Sequence, residues 1–344
     1  LNLFPTDKDG QSSASSLFLA DQQTLRAEVY RLTDGLQPLL RADLLLALQS
    51  PGKLLCEVEP STALPSGSWA LLVLYCGLCL DSQAERQRLY HVGIAIECFI
   101  CALDLFDDVE DEDQTRLLSA IGVPRAVNVA TALLALAQRT LFSLPHSSPQ
   151  LREQLSLTLQ TSLLHATEGQ HRDLLAEAQS MQQFTQQDCI EIAAQKAGSL
   201  MRLACLLGAL CVEAPEESCR ILAEIGHLVG IAAQLDNDCH DLYHLLHMGK
   251  QTNVDQTYPA TLKTDLLRRK KTLPAVIAFQ QRDADVAVVL SMDRDAQQQF
   301  FSEAIYKAWG IGLLYHERAL ECFRHLEENC VISPELRALL RMSE

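Results

Sequence analysis

Basic side chains are scarce in this chain: 28 Lys and Arg stand against 44 Asp and Glu, giving a formal net charge of -16 at pH 7. That balance argues against nucleic acid as a partner, because a protein without a basic face gains nothing from counterion release. Any anionic substrate must be brought in by metal ions and a few local cations. Alternating β-branched runs are nearly absent, which argues against a sheet, and neither a coiled-coil heptad nor an internal repeat is visible. The longest nearly apolar run, Trp69 to Leu80, is too short to span a bilayer, and no basic stretch with a cleavage-like site opens the chain. These absences read as no transmembrane segment and a cytoplasmic protein. The 12 cysteines lie scattered through apolar stretches and suit reduced core thiols, not a secreted disulfide framework. Cys76/Cys79 and Cys98/Cys101 have zinc-ribbon spacing but sit inside helix-like apolar runs, where the tight turns of a ribbon are missing; core residues are the better reading.

Apolar residues recur instead at intervals of three and four almost throughout, the mark of an all-α chain. Helices are expected near 68–80, 84–111, 125–143, 149–179, 184–213, 216–248, 273–281 and 296–328, with a first long helix beginning near Leu17. Residues 1–16 read as a flexible N-terminal arm and 17–344 as a single domain. Breaks fall at Gly and Pro clusters, and the polar stretch from Gly249 to roughly Asp265 reads as a flap.

Two acidic clusters carry the chemistry. Asp107, Asp108 and Asp111 fall in Leu103-Asp-Leu-Phe-Asp-Asp-Val-Glu-Asp111, and Asn237, Asp238 and Asp241 in Gln234-Leu-Asp-Asn-Asp-Cys-His-Asp241. On helices, Asp107/Asp111 and Asn237/Asp241 are i,i+4 pairs, so each cluster presents oxygen ligands on one face, as hard divalent ions and a diphosphate require. His240, His244 and His247 follow helical spacing and read as a polar stripe. Asp104, one turn before Asp107, reads as a satisfied polar residue.

With these motifs the chain resembles the trans-isoprenyl diphosphate synthases, or polyprenyl synthetases, and their class I terpene synthase relatives. Asp107-Asp-Val-Glu-Asp111 is similar to the first DDxxD motif, with Glu97 at the distance of the helix glutamate. Gly169-Gln-His-Arg-Asp173 resembles GQxxD and Lys196-Ala-Gly resembles KT(A/G). The Gln234–Asp241 segment resembles FQxxDDxxD, with asparagine in the first acidic place, and Asp265 to Pro274 resembles DLxxGKxTLP. The resemblance implies a helical bundle with a central cavity, ligand positions for three Mg2+ ions at the six acidic-cluster residues, and a homodimer. It implies an allylic prenyl diphosphate held by Arg116, Gln170, Asp173, Lys196, Gln234, Lys250 and Lys270, with Phe99 and Phe106 beside the aspartates.

Departures from the family pattern are as informative. Members that lengthen chains hold isopentenyl diphosphate with GGKRxRP, a histidine three residues after the helix glutamate, and the second arginine of an RR pair. Counting from Glu97 and Asp111, those positions hold Ser68, Trp69, Leu71, Ile100 and Leu117. The reading ranked first is therefore ionisation of the allylic substrate followed by cyclisation or quenching. Open beside it are prenyl transfer to an acceptor without a diphosphate, chain elongation using other cations such as Arg41 or Lys53, and a non-catalytic partner subunit. Product skeleton and substrate chain length are not encoded legibly.

Overall fold

The computed structural model describes residues 16–56, 68–113, 115–247, 270–282 and 284–342. Among them there is no strand, as the three- and four-residue periodicity predicts. The helices are α1 (Ser16–Thr33), α2 (Pro38–Ala47), α3 (Trp69–Leu80), α4 (Arg86–Glu110), α5 (Arg116–Ile121), α6 (Val123–Phe142) and α7 (Pro149–Glu177). After them come α8 (Gln186–Ala193), a π-helical turn at Ala194–Gly198, α9 (Ser199–Cys211), α10 (Glu216–His247), α11 (Leu273–Arg282), α12 (Val286–Ser291), α13 (Arg294–Glu327) and α14 (Pro334–Leu339). Residues 1–15 of the N-terminal arm and the whole polar stretch from Gly249 to Asp265 lie outside the described residues.

Helix boundaries follow local chemistry. Ser148 accepts from the Leu151 amide and Pro149 opens α7, since proline at the first turn lacks only an N–H that would be unpaired anyway. Thr185 and Asp188 form a reciprocal capping box that starts α8. Helix α4 is buried on every side from Leu89 to Ala102, a stretch apolar but for His91 and Glu97, and a helix so nearly apolar all round must be enclosed. It packs on α3 and α6 and touches α9. By length and composition α4 could cross a membrane, but 83% of that apolar window is buried inside the protein. Counting uninterrupted apolar residues had missed it, because polar residues interrupt the run.

Two apolar clusters result. One joins α1, α3, α4, α6 and α9; the other joins α8, α11, α13 and the second half of α10. The 32-residue α10 runs through both and lies along α13. Cys76 and Cys98 are buried single thiols on α3 and α4, and burial pushes both thiols well above their usual range, with Cys205 acting first on Cys76. They pack as core residues.

Candidate functional site

A cavity of about 1080 Å³ opens between α3, α4, α7, α9 and α10. Its walls are mainly apolar, from Leu72, Ile100, Leu163, Leu200 and Val229, and its polar residues include Asp104, Asp107, Gln170, Lys196, Gln234 and Asn237. Four acidic residues occupy the last turn and cap of α4: Asp107, Asp108, Glu110 and Asp111. Negative charge at a helix C-terminus opposes the macrodipole, so local stability is sacrificed there for something else.

Lysines hold these carboxylates. Lys196 Nζ lies 3.2 Å from Asp107 Oδ1 on α4 and 3.0 Å from Asp173 Oδ2 on α7. Lys270 Nζ pairs with the buried Asp111. Burial alone would depress Lys196, but the charges of Asp107 and Asp173 outweigh it and hold its pKa above the ordinary value. On the carboxylate side, burial raises Asp107 against the opposing pull of Lys196. Burial, then the charges of Asp104, Asp113 and Asp107, pushes Asp108 up to about 7. Asp238 is also pushed up to about 7, by burial first and then by Asp173 and Asp241, against the hydrogen bond from Gln234. Burial raises Asp241 too, opposed by His240, His244 and Lys270. Carboxylates crowded until they favour protons are groups that a bound cation would relieve.

The geometry around Lys196 depends on close helix approach. A Cβ on Gly169 would come within 2.7 Å of Gln195 Cβ, and one on Gly230 within 2.8 Å of the Ala197 carbonyl carbon. These glycines let α7 and α10 close on the π-helical turn that presents Lys196; such turns recur at functional sites.

The structure brings Asp107, Gln170, Lys196, Gln234, Asn237 and Phe106 to one cavity. Gln234 Nε2 donates to Asp238 Oδ1 at 2.8 Å. Both side-chain polar atoms of Gln170 are buried without a protein partner, an arrangement costly enough to imply a ligand contact. Asp241 is exposed on the next turn of α10. Among the described residues, no three His, Cys, Asp or Glu side chains converge on one point as the side chains stand. The ion pairs with Lys196 and Lys270 account for the positions of Asp107 and Asp111.

Asp108, Asp111, Asp173, Asp238, Asp241 and Lys270 are not part of the cavity lining, and neither are two further expected residues, Phe99 and Arg116. Phe99 is wholly buried in the helical core and does not line the cavity. It shares a stripe with Phe106 but lies two turns earlier, where α4 is already enclosed. Arg116 is exposed at the start of α5 and is not part of the cavity lining. Lys250 lies outside the described residues. Of the histidine stripe, His240 and His244 touch through their Nε2 atoms at 2.8 Å, while His247 stacks on Tyr243.

Sequence reasoning under-weighted two further groups. Lys53 Nζ is bonded to Asp104 Oδ2, and Asp104 lines the cavity one turn before Asp107. Glu97, fully buried, accepts from Leu54 N (2.7 Å) and Ala70 N (3.1 Å), bringing the Lys53 segment to the start of α3. Burial pushes Glu97 up to about 7, against the pull of Lys53 and the two backbone bonds. The signal for Lys53 was Gly52-Lys53, a glycine–lysine pair that counting back from Glu97 passes over. Arg41, the other cation considered, pairs with Asp34 and is not part of the lining. Arg341, just after α14, reaches the cavity beside Leu339, and no sequence motif marks it.

Comparison with known proteins follows the same outline. The family model described as polyprenyl synthetase matches residues 69–308. Tryptophan prenyltransferase ComQ of Bacillus spizizenii is 32% identical over 179 residues, which is 52% of this chain and 54% of that protein. Geranylgeranyl diphosphate synthase of Mycobacterium tuberculosis is 34% identical over 196 residues, 56% of this chain and 52% of that one. The chain thus spans about half the length of these curated relatives. A crystal structure of a geranylgeranyl pyrophosphate synthase superposes with a TM-score of 0.75 at 17% identity, covering 94% of this chain and 95% of the other. The geranylgeranyl pyrophosphate synthetase of Geoglobus acetivorans gives 0.70 at 20% identity, covering 96% and 97%. At such identities the structural likeness is one of fold.

Proposed function

The chain belongs to the polyprenyl synthetase family, and from that premise we infer that it is a prenyltransferase that moves the prenyl group of an allylic diphosphate to an acceptor carrying no diphosphate. Sequence alone ranks cyclisation or quenching first. The relatives above, named as a prenyltransferase and as diphosphate synthases, move transfer ahead of internal capture.

The observation that carries the reading is the asymmetry of the cavity. The lining includes the polar groups Asp107, Gln170, Lys196, Gln234 and Asn237, whereas the positions where chain-lengthening members hold a second diphosphate contribute Ser68, Trp69 and Ile100. Ser68 uses its hydroxyl to cap α3. Among the described residues, the other cations to weigh are Lys53, already paired with Asp104, and Arg341 in the cavity lining. A diphosphate needs several converging cations, arginines above all, and one guanidinium with one ion-paired lysine does not supply them.

At the acidic clusters the donor set is all hard oxygen, from Asp107, Asp108, Asp111, Asn237, Asp238 and Asp241, which suits Mg2+. We assign up to three ions there on family grounds; bound magnesium would neutralise charge on the leaving diphosphate. Lys196 and Lys270, now paired with Asp107, Asp173 and Asp111, would donate to diphosphate oxygens once magnesium takes up those carboxylates, and Gln170 offers both a donor and an acceptor. The apolar walls shelter the prenyl chain and keep water from the electron-poor carbon. The volume holds a prenyl chain and a second small molecule together.

The test uses purified protein, magnesium and geranyl, farnesyl or geranylgeranyl diphosphate, each with and without N-acetyltryptophanamide, with products read by mass spectrometry. An adduct heavier by one prenyl group, with diphosphate release accelerated by the acceptor, is expected. Hydrocarbon or prenyl alcohol as the sole product would return internal capture to first place. Longer diphosphates on adding isopentenyl diphosphate would establish elongation instead.

A further inference from the structure

Asp104 is a charged cavity residue that the ionisation machinery leaves unused. It sits on the same face of α4 as Ile100 and Asp107, and its side chain is 53% exposed although it lies in the cavity wall. Its partner Lys53 is the reverse: the side chain is 8% exposed, with Nζ on Asp104 Oδ2. The segment carrying Lys53 is fixed from both sides. Glu97 takes the Leu54 amide, and the Arg26 guanidinium donates to the carbonyls of Leu54 (3.0 Å) and Cys56 (2.6 Å). Lys53 is therefore a pinned buried cation that orients one carboxylate oxygen and leaves the rest of that carboxylate facing the cavity.

An ion pair in an apolar wall is expensive. Replacing such a pair with apolar residues of similar volume is often neutral or stabilising, so the fold itself gains little from it. A carboxylate held in place can accept further hydrogen bonds, since each oxygen has two lone pairs. It repels a second diphosphate and attracts an N–H donor. Trp69, Leu72 and Ile100 around it offer flat and apolar surface.

Resting on the prenyl-transfer reading, we propose that Asp104, oriented by Lys53, docks the acceptor through an N–H group, and that the acceptor is an aromatic or amide nitrogen compound with an apolar body. The pair thus selects the second substrate, and takes no part in releasing diphosphate from the first.

The test separates docking from transfer. Indole and N-acetyltryptophanamide are titrated by calorimetry into full-length protein loaded with magnesium and unreactive farnesyl thiodiphosphate. Wild type should bind at least one probe, and binding should weaken at least tenfold in Asp104→Leu combined with Lys53→Met, a double change that leaves no buried lysine unpaired. Tighter binding of N-acetyltryptophanamide than of indole would assign the contact to an amide N–H, and the reverse to the ring N–H. Acceptor-free diphosphate release by the double variant should change by a much smaller factor than acceptor affinity. Equal affinity in wild type and variant, no binding of either probe to wild type, or a parallel loss of diphosphate release would overturn the proposal. Binding by wild type with no prenylated adduct would instead sink the transfer reading while leaving the dock in place.

Discussion

Asp107→Ala should reduce diphosphate release from an allylic substrate by about a thousandfold or more while the protein stays folded. Asp107 faces the cavity, lies 3.2 Å from Lys196 and shares its helical face with Asp111. Its burial already raises its pKa, so as an ionised group it costs stability when no cation neutralises it. Deleting it relieves repulsion with Asp111 and leaves Lys196 paired to Asp173. The melting temperature without ligand should therefore hold within a few degrees or rise. Coupled diphosphate detection beside a thermal melt checks both parts. Activity within tenfold of wild type would remove Asp107 from the ionising centre.

Gly230→Ala should do the opposite, harming the fold and the site together. The new Cβ would lie within 2.8 Å of the Ala197 carbonyl carbon and the Gly198 Cα, with the Ala197 carbonyl oxygen closer still. Those are backbone atoms, so no side chain can rotate away and α10 must separate from the π-helical turn. Overpacking of this kind costs about 3 kcal/mol or more. The turn carries Lys196, so its displacement should also cut turnover steeply. Gly312→Ala on α13 is the matched control: its nearest neighbour, Leu235 Cβ, is at 3.6 Å, an ordinary contact. Gly312→Ala should hold or gain stability, because alanine is the better helix former; a melt showing equal loss in both variants would mean that the close approach at Gly230 does not set its cost.

The long helices were legible because their three- and four-residue periodicity persists over many turns; α7, expected at 149–179, spans Pro149–Glu177. The short helices α2, α5, α12 and α14, six to ten residues each, escaped that reading, since so few turns barely establish a period. Caps still marked some of them, as at Ser333-Pro334. The site's polar residues were legible because acidic spacing constrains which faces they share. What periodicity gives is a face and not a depth, which is why Phe99 was grouped with Phe106. Lys53 and Arg341 reach the cavity by tertiary packing, through Glu97 in one case and α14 in the other, and linear spacing carries no trace of either route. The family comparisons, meanwhile, changed the order of the functional readings and left the residue reading as it stood.

The central claim is that this cavity has a dock for one diphosphate and no more. Calorimetric titration of full-length protein, first with farnesyl thiodiphosphate and magnesium and then with isopentenyl diphosphate, addresses it directly. The account predicts one magnesium-dependent site for the allylic analogue and no measurable heat from isopentenyl diphosphate. Saturable binding of isopentenyl diphosphate, to the loaded protein or without metal, would contradict it.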